Sequence, residues 1–292
     1  MKRERAATMR RVLPWWYRAL CEARWRVTPP HVWARRAARH RWVFVTGMNR
    51  SGKTTLSTLL AHHPLISVVP NASSMSSALP NALTEGCPHV WTERLHRFRL
   101  TEADLGRVDP SRLIFDWLSF HGQPRRVLVV ESDLAAVQMR WLQGVFPDSR
   151  FIALVRNGYA VAEGIRLKEG YALERCARQW ELANEILLRD APQVRSFRAV
   201  AYEELVERPQ PVVEQIADVA GVDPAPLWPV LRSGWRLGNT DRRLSALRNA
   251  NHDLIGRLSP SEVDEVTRVA APMLAHFGYR PPPTWTTREE GA

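Results

Sequence analysis

One stretch of the sequence, VFVTGMNRSGKTTLSTLLAHHP (residues 43–64), carries phosphate-binding residue types at a defined spacing. Between Gly47 and Thr54 it fits G-x-x-x-x-G-K-T, a glycine-rich loop that enters a helix and cradles nucleotide phosphates. Inside the loop, Arg50 of the letters R-S-G adds a second cation beside Lys53. These letters, followed by T-T-L and later by H-P, differ from the usual nucleotide-binding loop. The loop therefore predicts an anion site and leaves two donors open, ATP or a sulfated nucleotide.

The binding chemistry of such a loop comes mainly from its backbone. A glycine turn at a helix N-terminus points several N–H groups at one spot, and the helix dipole adds to the attraction for an anion. Gly47 permits the tight turn, and Gly52 lets the backbone approach a phosphate closely. Lys53 adds a positive charge, and the surrounding hydroxyl groups are those of Ser51, Thr54 and Thr55.

Short apolar runs alternate with helical patterns from residue 41 onward, and these elements must position the loop. The runs predict buried strands at Trp42–Thr46 and Arg126–Glu131, and further strands at Phe151–Val155 and Phe197–Ala201. The helical patterns predict helices at Thr54–His62, Ala135–Phe146, Tyr159–Lys168, Leu173–Asp190, Pro211–Ala220 and Ser259–Phe277. This alternation predicts an α/β fold, a P-loop-type three-layer sandwich with a central, mostly parallel sheet and helices on both faces.

The carboxyl ends of the strands are where such sheets bind ligands. We therefore expect three segments to meet in one cleft: Gly47–Thr55, Glu131–Asp133 and Arg156–Asn157. Residues Pro70 to Gln123 have little strand pattern and contain many small polar residues, so we expect acceptor contacts or a lid there.

Composition divides the chain into a basic, tryptophan-rich helical appendage, a main domain and a flexible tail, at residues 1–40, 41–282 and 283–292. In the appendage, helical spacing places Trp16, Leu20 and Val27 near one face with arginines around it. Two interpretations stay open for this face. It lies on an anionic membrane as an interfacial helix, or it packs on the main domain or on a partner.

The overall composition limits the partners and the compartment. Among 292 residues, 41 Lys and Arg stand against 30 Asp and Glu, and the net charge of +11 favours anionic partners. No nucleic-acid recognition motif accompanies this charge, so we expect no specific nucleic acid. No run of about 18 apolar residues predicts a membrane span. The three widely spaced cysteines favour a reducing compartment, so we expect a cytoplasmic protein, membrane-associated if the appendage binds lipid.

Four blocks of sequence, taken in order, carry a family resemblance. They are GMNRSGKTTL with LLAHHP; VLVVESDLAAVQMRWLQGVFPDSRFIALVRNGYAVAEG; RQWELANEILLRDAP with VAYEELVERPQPVVEQIADVAGVD; and LSPSEVDEVTRVAAPMLAHFGY. Together they resemble the sulfotransferases that use 3'-phosphoadenosine 5'-phosphosulfate (PAPS), especially bacterial and tyrosylprotein-type members, whose loop reads G-x-x-R-S-G-T-T-L. The likeness covers residues 41–279, and a nucleotide kinase shares only the first block.

The resemblance implies an enzyme that moves a sulfuryl group from PAPS to a hydroxyl of a small molecule, lipid or glycan, by in-line transfer and without a metal. It implies that Arg50 contacts the donor's 5'-phosphate and sulfuryl group, and that Arg156 binds the 3'-phosphate. Tyr202 would lie near the adenine, and the segment from Arg248 to Leu254 would close over the nucleotide. The remaining contacts to the donor would come from the loop residues Gly47, Asn49, Ser51, Gly52, Lys53, Thr54 and Thr55.

Five positions depart from the family pattern. Gly158 stands in place of a proline, and Gly164 in place of a serine that is a second ligand of the 3'-phosphate, so the clamp on that phosphate is weakened. Lys53 replaces a threonine and Glu131 replaces a lysine. Asn71 stands near the position of the catalytic glutamate in tyrosylprotein-type enzymes.

The two charged departures suggest a hypothesis, since Lys53 and Glu131 could form a swapped charge pair. A buried carboxylate is costly without a partner, which is the reason to expect one for Glu131. In the transfer reaction, Arg50, Lys53 and the loop amides would stabilise charge on the leaving phosphate. The candidate general bases are, in order of preference, Glu85, Glu131 and then His62 or His63, with a structural role at the end of the first helix as the alternative for His63.

Three functions stay open on the sequence alone. The first is a PAPS-dependent sulfotransferase. The second is a P-loop ATP-dependent kinase, with Lys53 on phosphate, Thr54 on magnesium, and Glu131 or Asp133 as the second metal contact. The third is a non-catalytic descendant that binds an anionic nucleotide or a membrane, which the altered clamp favours.

Overall fold

The computed structural model describes residues 15–70, 72, 90–121, 123–233, 235–236, 243–244 and 248–282. Two candidate residues of the sequence analysis, Asn71 and Glu85, lie outside the described residues, as does the expected tail at 283–292.

A five-stranded parallel sheet lies at the centre of the fold, in the order β2-β3-β1-β4-β5. Its strands are β1 (Arg41–Thr46), β2 (Ile66–Val69), β3 (Val127–Glu131), β4 (Arg150–Val155) and β5 (Phe197–Ala201). The four predicted strands are confirmed to within one residue at each end. β2 was missed in the sequence because it has only four residues, three of them apolar, and begins shortly after the first helix. A two-stranded antiparallel pair, β6 (Trp235–Arg236) and β7 (Arg243–Leu244), is separate from this sheet.

Both faces of the sheet are covered, which is why the strands read as continuous apolar runs. Side chains alternate between the faces, so Trp42 and Phe44 of β1 enter one core while Val43 and Val45 enter the other. The first core is rich in aromatic rings, with Phe44 stacked 5.3 Å from Phe151 between ring centroids. The predicted three-layer α/β architecture is confirmed.

The helices of the chain are bounded as follows: α1 (Trp15–Val27), α2 (Pro30–Ala37), α3 (Lys53–Leu60), α4 (Leu95–Phe98), α5 (Ser111–Phe120), α6 (Met139–Val145), α7 (Gly158–Glu169), α8 (Leu173–Asp190), α9 (Tyr202–Glu207), α10 (Pro209–Ala220), α11 (Trp228–Ser233), α12 (Asn251–Ile255) and α13 (Pro260–His276). Short 3-10 turns lie at Trp91–Arg94, Glu102–Asp104, Leu134–Val137, Ala191–Gln193 and Ala225–Leu227. The predicted helix at residues 135–146 is instead a 3-10 turn followed by α6. The predicted capping box at Ser259 and Glu262 is present at the start of α13.

Helices α7, α8 and α13 form a third apolar cluster beside the sheet, and this cluster explains Gly158. A Cβ atom at Gly158 would lie 2.9 Å from Leu274 of α13 and 3.0 Å from the ring of Trp180 of α8. The proline of the family pattern therefore does not fit here, because the two helices pack directly on the first residue of α7.

The N-terminal helices α1 and α2 are separated at Thr28 and Pro29 and both contact the main core. Trp33 of α2 is buried in the same core as Trp42, and Trp25 of α1 packs against it from the edge. Of the described residues, none belongs to a helix with the length and apolar character needed to cross a membrane. The division of the chain at residue 40 stays a prediction.

Candidate active site

The carboxyl ends of three neighbouring strands bring the predicted site segments together. β1 lies between β3 and β4, so the loop that follows β1 lies between the ends of the other two. Contacts across these ends join all three segments. Thr54 donates a hydrogen bond to Glu131 at 2.7 Å, and Arg156 donates one to the backbone oxygen of Arg50 at 2.8 Å.

Close packing requires both glycines of the loop. A Cβ atom at Gly47 (φ 129°) would collide with the carbonyl oxygen of Leu154, and one at Gly52 (φ 98°) would lie 2.7 Å from the ring of Tyr202. Gly52 is also the residue before α3, so its left-handed conformation sets the direction of the helix N-terminus.

Arg50 at the tip of the loop has a strained backbone. Among the residues that the structure describes, it is the one residue other than glycine with a positive φ, 69°. Such conformations cost free energy and concentrate at functional sites, where surrounding contacts hold them. The hydrogen bond from Arg156 to the Arg50 carbonyl is one such contact.

The guanidinium of Arg156 is held from several sides although only 7% of the residue is exposed. Its Nε donates to Asn251 at 2.7 Å, its Nη1 donates to Arg50, and its carbon lies 4.2 Å from the ring centroid of Tyr202. Burial lowers the pKa of Arg156, and Tyr202 and Glu203 act in the opposite direction. The third nitrogen, Nη2, is buried and has no hydrogen-bond partner.

A layer of polar residues behind Arg156 fixes its position. Asn251 donates to Glu203 at 2.5 Å, and Glu203 also accepts hydrogen bonds from the Asn157 backbone and from the Tyr279 hydroxyl, each at 3.0 Å. Burial, together with Glu203, raises the pKa of Tyr279. Sequence reasoning missed Glu203, Asn251 and Tyr279. The predicted closing segment at residues 248–254 was the one signal that pointed towards Asn251.

Tyr202 and Arg248 border the same site. The Tyr202 hydroxyl donates to the backbone oxygen of Arg248 at 3.0 Å, so the two residues that the sequence analysis named as donor contacts are neighbours. The side chain of Arg248 is exposed and forms an ion pair with Asp253. Only the Arg248 backbone therefore contacts the ring beside Arg156.

Lys53 and Glu131 do not form the predicted charge pair, so that hypothesis was wrong. Lys53 forms an ion pair with Asp133 at 2.5 Å and donates to the Met48 carbonyl at 2.6 Å. Glu131 accepts hydrogen bonds from the hydroxyls of Thr54 (2.7 Å) and Ser57 (2.6 Å), which lie one turn apart on α3. Buried Glu131 is thus satisfied by hydroxyl groups rather than by a cation.

The remaining predicted residues are distributed as follows. Asn49, Ser51 and Thr55 lie in the loop or the first turn of α3, and the Ser51 hydroxyl is buried without a hydrogen-bond partner. His62 and His63 form structural hydrogen bonds to backbone carbonyls outside the loop. Nε2 of His63 bonds to the Asp223 carbonyl, and His62 to the Thr58 carbonyl, both at 2.9 Å.

Gly164, the departure from the family's serine, borders the loop. A Cβ atom there would lie 3.5 Å from Cγ of Arg50, an ordinary contact distance with room for a small side chain. The position therefore lies between the side chains of Arg50 and Leu254.

Two buried polar atoms of this site, Ser51 Oγ and Arg156 Nη2, have no hydrogen-bond partner among the described residues. Six other buried side-chain atoms also lack one, so what points to a ligand is the position of these two, on segments that follow β1 and β4 at the carboxyl ends of the strands. A hydroxyl and a guanidinium are donors suited to phosphate oxygens. Among the described residues, no group of three or more His, Cys, Asp or Glu side chains is arranged to hold a metal ion.

Known proteins share sequence with this chain. The sequence model described as the sulfotransferase family matches residues 43–226, more than half of the chain. Protein-tyrosine sulfotransferase 2 of Gallus gallus is 24% identical over 270 residues, covering 82% of this chain and 69% of that protein. Nodulation protein NoeE of Sinorhizobium fredii is 28% identical over 214 residues, covering 62% of this chain and 50% of that protein.

Solved structures share the fold at lower sequence identity. The sulfotransferase domain from the curacin biosynthetic pathway superposes with a TM-score of 0.55 at 19% identity, covering 83% of this chain and 99% of that domain. A sulfotransferase from Mycobacterium avium gives a TM-score of 0.55 at 17% identity, with 86% and 80% covered. The fold is of the P-loop type, and the family model places the chain among transferases. The chain belongs to the sulfotransferase family.

A double-mutant cycle tests the ion pair between Lys53 and Asp133. We expect Lys53→Met and Asp133→Asn to be coupled by about 1–3 kcal/mol in the free energy of unfolding, because buried partners in direct contact are not additive. The coupling between Lys53→Met and Glu131→Gln should be smaller, because these two side chains share no hydrogen-bond or ion-pair partner. Chemical unfolding of the original protein, the three single variants and the two double variants measures both couplings. A larger coupling to Glu131 than to Asp133 would contradict the arrangement.

Proposed function

We propose that this protein is a PAPS-dependent sulfotransferase that transfers a sulfuryl group to a hydroxyl acceptor. The observation that carries the proposal is the buried Nη2 of Arg156, which has no hydrogen-bond partner among the described residues although the rest of the guanidinium is fixed by Asn251, Arg50 and Tyr202. An arginine held in this way is suited to the 3'-phosphate, the group that distinguishes PAPS from ATP. Membership of the sulfotransferase family supports the same donor.

In the proposed reaction, the loop binds the other end of the donor. Ser51, the amides at the start of α3 and the Arg50 side chain would bind the 5'-phosphate, and Tyr202 would lie against the adenosine. PAPS supplies a sulfuryl group on a phosphate that leaves as adenosine 3',5'-bisphosphate. Lys53, the first residue of α3, would stabilise the negative charge that develops on that phosphate.

We propose Asp133 as the general base, in place of the candidates favoured by the sequence. Glu131 is only 2% exposed, and both of its carboxylate oxygens accept hydrogen bonds from hydroxyl groups of α3. We therefore assign it a structural role beside the loop. The Asp133 carboxylate is at the mouth of the strands, 19% exposed, and next to the loop cation Lys53. It would accept the proton of the acceptor hydroxyl as the oxygen bonds to sulfur.

One observation favours a second candidate, an ATP- and magnesium-dependent kinase. The loop threonine Thr54 contacts the strand-end carboxylate Glu131, and this pair resembles the hydroxyl and acidic residue that hold magnesium in P-loop enzymes. The second carboxylate, Asp133, is engaged by Lys53. We give this candidate second place because it provides no ligand for Nη2 of Arg156.

The acceptor class is proposed to be a hydroxyl of a small molecule, lipid or glycan, bound through residues of the segment from Pro70 to Gln123. Most of the polar part of that segment lies outside the described residues. Neither of the described cysteines, Cys21 and Cys176, forms a disulfide, which supports the proposal of a reducing, cytoplasmic compartment.

Ligand-dependent thermal unfolding tests the donor. We expect adenosine 3',5'-bisphosphate to raise Tm, because a ligand at 100 times its Kd stabilises the folded state by about 2.7 kcal/mol. Arg156→Ala should abolish this response. Asp253→Asn, which removes a carboxylate from the exposed ion pair with Arg248, is the matched control and should keep it.

ATP with and without magnesium completes the titration. A response to magnesium–ATP that exceeds the response to the bisphosphate would establish the kinase candidate. A bisphosphate response that is unchanged in Arg156→Ala would contradict the assigned 3'-phosphate site.

Restoring the family's serine should strengthen the donor site. In Gly164→Ser the added hydroxyl faces Arg50 without a clash, and a hydrogen bond to a charged phosphate should lower the Kd of adenosine 3',5'-bisphosphate about tenfold. Gly164→Ala controls for the effect of a side chain on α7. Calorimetry should show the gain for serine alone, and an equal gain with adenosine 5'-phosphate would contradict a contact to the 3'-phosphate.

Removing the proposed base should separate binding from turnover. We expect Asp133→Asn to lower kcat about 100-fold or more, because general-base catalysis contributes on that order. The Kd of adenosine 3',5'-bisphosphate should stay within about threefold of its original value, since the amide still accepts a hydrogen bond from Lys53. Release of the bisphosphate from PAPS with a panel of hydroxyl acceptors measures kcat. If Glu131→Gln loses turnover and Asp133→Asn does not, Asp133 is not the base.

A further inference from the structure

Helix α1 turns an apolar stripe outward. Trp16, Leu20 and Val27 are 56%, 49% and 79% exposed, and Ala23 between them is exposed as well. Helical geometry places all four within an arc of about 60°. The opposite side of the helix packs on the main core through Trp25, so the outward direction of the stripe is fixed by burial of the other face.

The stripe is unusual for this protein. Six large apolar side chains are exposed among the described residues, and three of them belong to this one helix of 13 residues. The other three, Leu65, Leu105 and Leu167, are distributed singly over the main domain. A single exposed leucine needs no explanation, whereas a row of three on one helix face marks an interaction surface.

Positive charge surrounds the stripe. Helical geometry places Arg24 on one side of the stripe and Arg26 on the other. Three more arginines are exposed on or just after α2: Arg35, Arg36 and Arg39. The one acidic residue of α1, Glu22, is neutralised by an ion pair with Arg112 of the main domain.

The charge of the whole chain is concentrated in the same region. Residues 1–40 contain 11 Lys and Arg and 2 Glu, a net charge of +9 out of the total of +11. The remaining 252 residues therefore carry a net charge of only +2. The basic character is a property of the segment that carries the stripe, and not of the protein surface in general.

We infer that α1 binds an anionic lipid surface, with the stripe of Trp16, Leu20, Ala23 and Val27 inserted between headgroups and the flanking arginines on lipid phosphates or carboxylates. An apolar stripe with basic residues on both sides is the pattern of a helix that lies in the membrane interface. A protein partner would equally cover the apolar stripe. Residues 1–40 carry a net charge of +9, and the one acidic residue of α1, Glu22, is paired with Arg112. This charge favours a surface of diffuse negative charge over a protein partner. A helix that lies in the plane of the membrane interface leaves the main domain outside the bilayer.

Vesicle binding tests the inference with the full-length chain. Vesicles of neutral phosphatidylcholine are compared with vesicles that contain 30% phosphatidylserine as the probe, at low and at high salt, by co-sedimentation. We expect binding to the anionic vesicles alone, lost at high salt. Leu20→Glu with Val27→Glu should weaken it about tenfold or more, and so should Arg24→Glu with Arg26→Glu.

The matched control is Leu167→Glu, which places the same charge on an exposed leucine of α7 and should bind like the original protein. An unchanged thermal unfolding transition shows that each variant is folded, and light scattering gives the oligomeric state. Equal binding of the original protein and the stripe variant overturns the inference. So does a dimer that the stripe variant dissociates while neither form binds vesicles, since the stripe then joins two copies. The nucleotide titration does not depend on this outcome.

Discussion

The buried guanidinium of Arg156 is the contact on which the candidate site depends. It joins the end of β4 to the tip of the loop through the Arg50 carbonyl, and to α12 through Asn251. It also lies on the ring of Tyr202, which closes over Gly52 at the start of α3. A buried arginine is costly without hydrogen-bond partners. Arg156 and the groups around its guanidinium come from four separate segments of the chain, and the guanidinium therefore holds these segments together.

The strained loop is tied to that contact. Arg50 has a positive φ, its carbonyl accepts a hydrogen bond from Arg156, and the residue is exposed. The polar residues behind Arg156 make the geometry rigid, since Glu203 receives three hydrogen bonds from the backbone of Asn157, from Asn251 and from Tyr279. The site is therefore preformed on the protein side.

Sequence patterns predicted the sheet well because its strands are apolar on both faces and its first loop has a strict glycine spacing. They did not predict which acid meets Lys53. Glu131 follows Val127 and Val129 at alternate positions of β3, so its side chain enters the face covered by α3 and meets the hydroxyls of that helix. Asp133 lies beyond the strand, where no alternation applies, and there it is within reach of Lys53. Contacts such as Arg156 with Asn251, 95 residues apart, depend on tertiary packing that no local pattern encodes.

The uneven distribution of charge has a consequence for how the protein meets its ligands. With a net charge of only +2 over residues 41–292, the main domain has little long-range attraction for an anionic nucleotide. Capture of the nucleotide then depends on short-range groups inside the cleft, which salt screens weakly because they are partly buried. The N-terminal segment, in contrast, acts through exposed charges that salt screens strongly. Under the two proposals, ionic strength would therefore affect binding to the lipid surface more than binding of the nucleotide in the cleft.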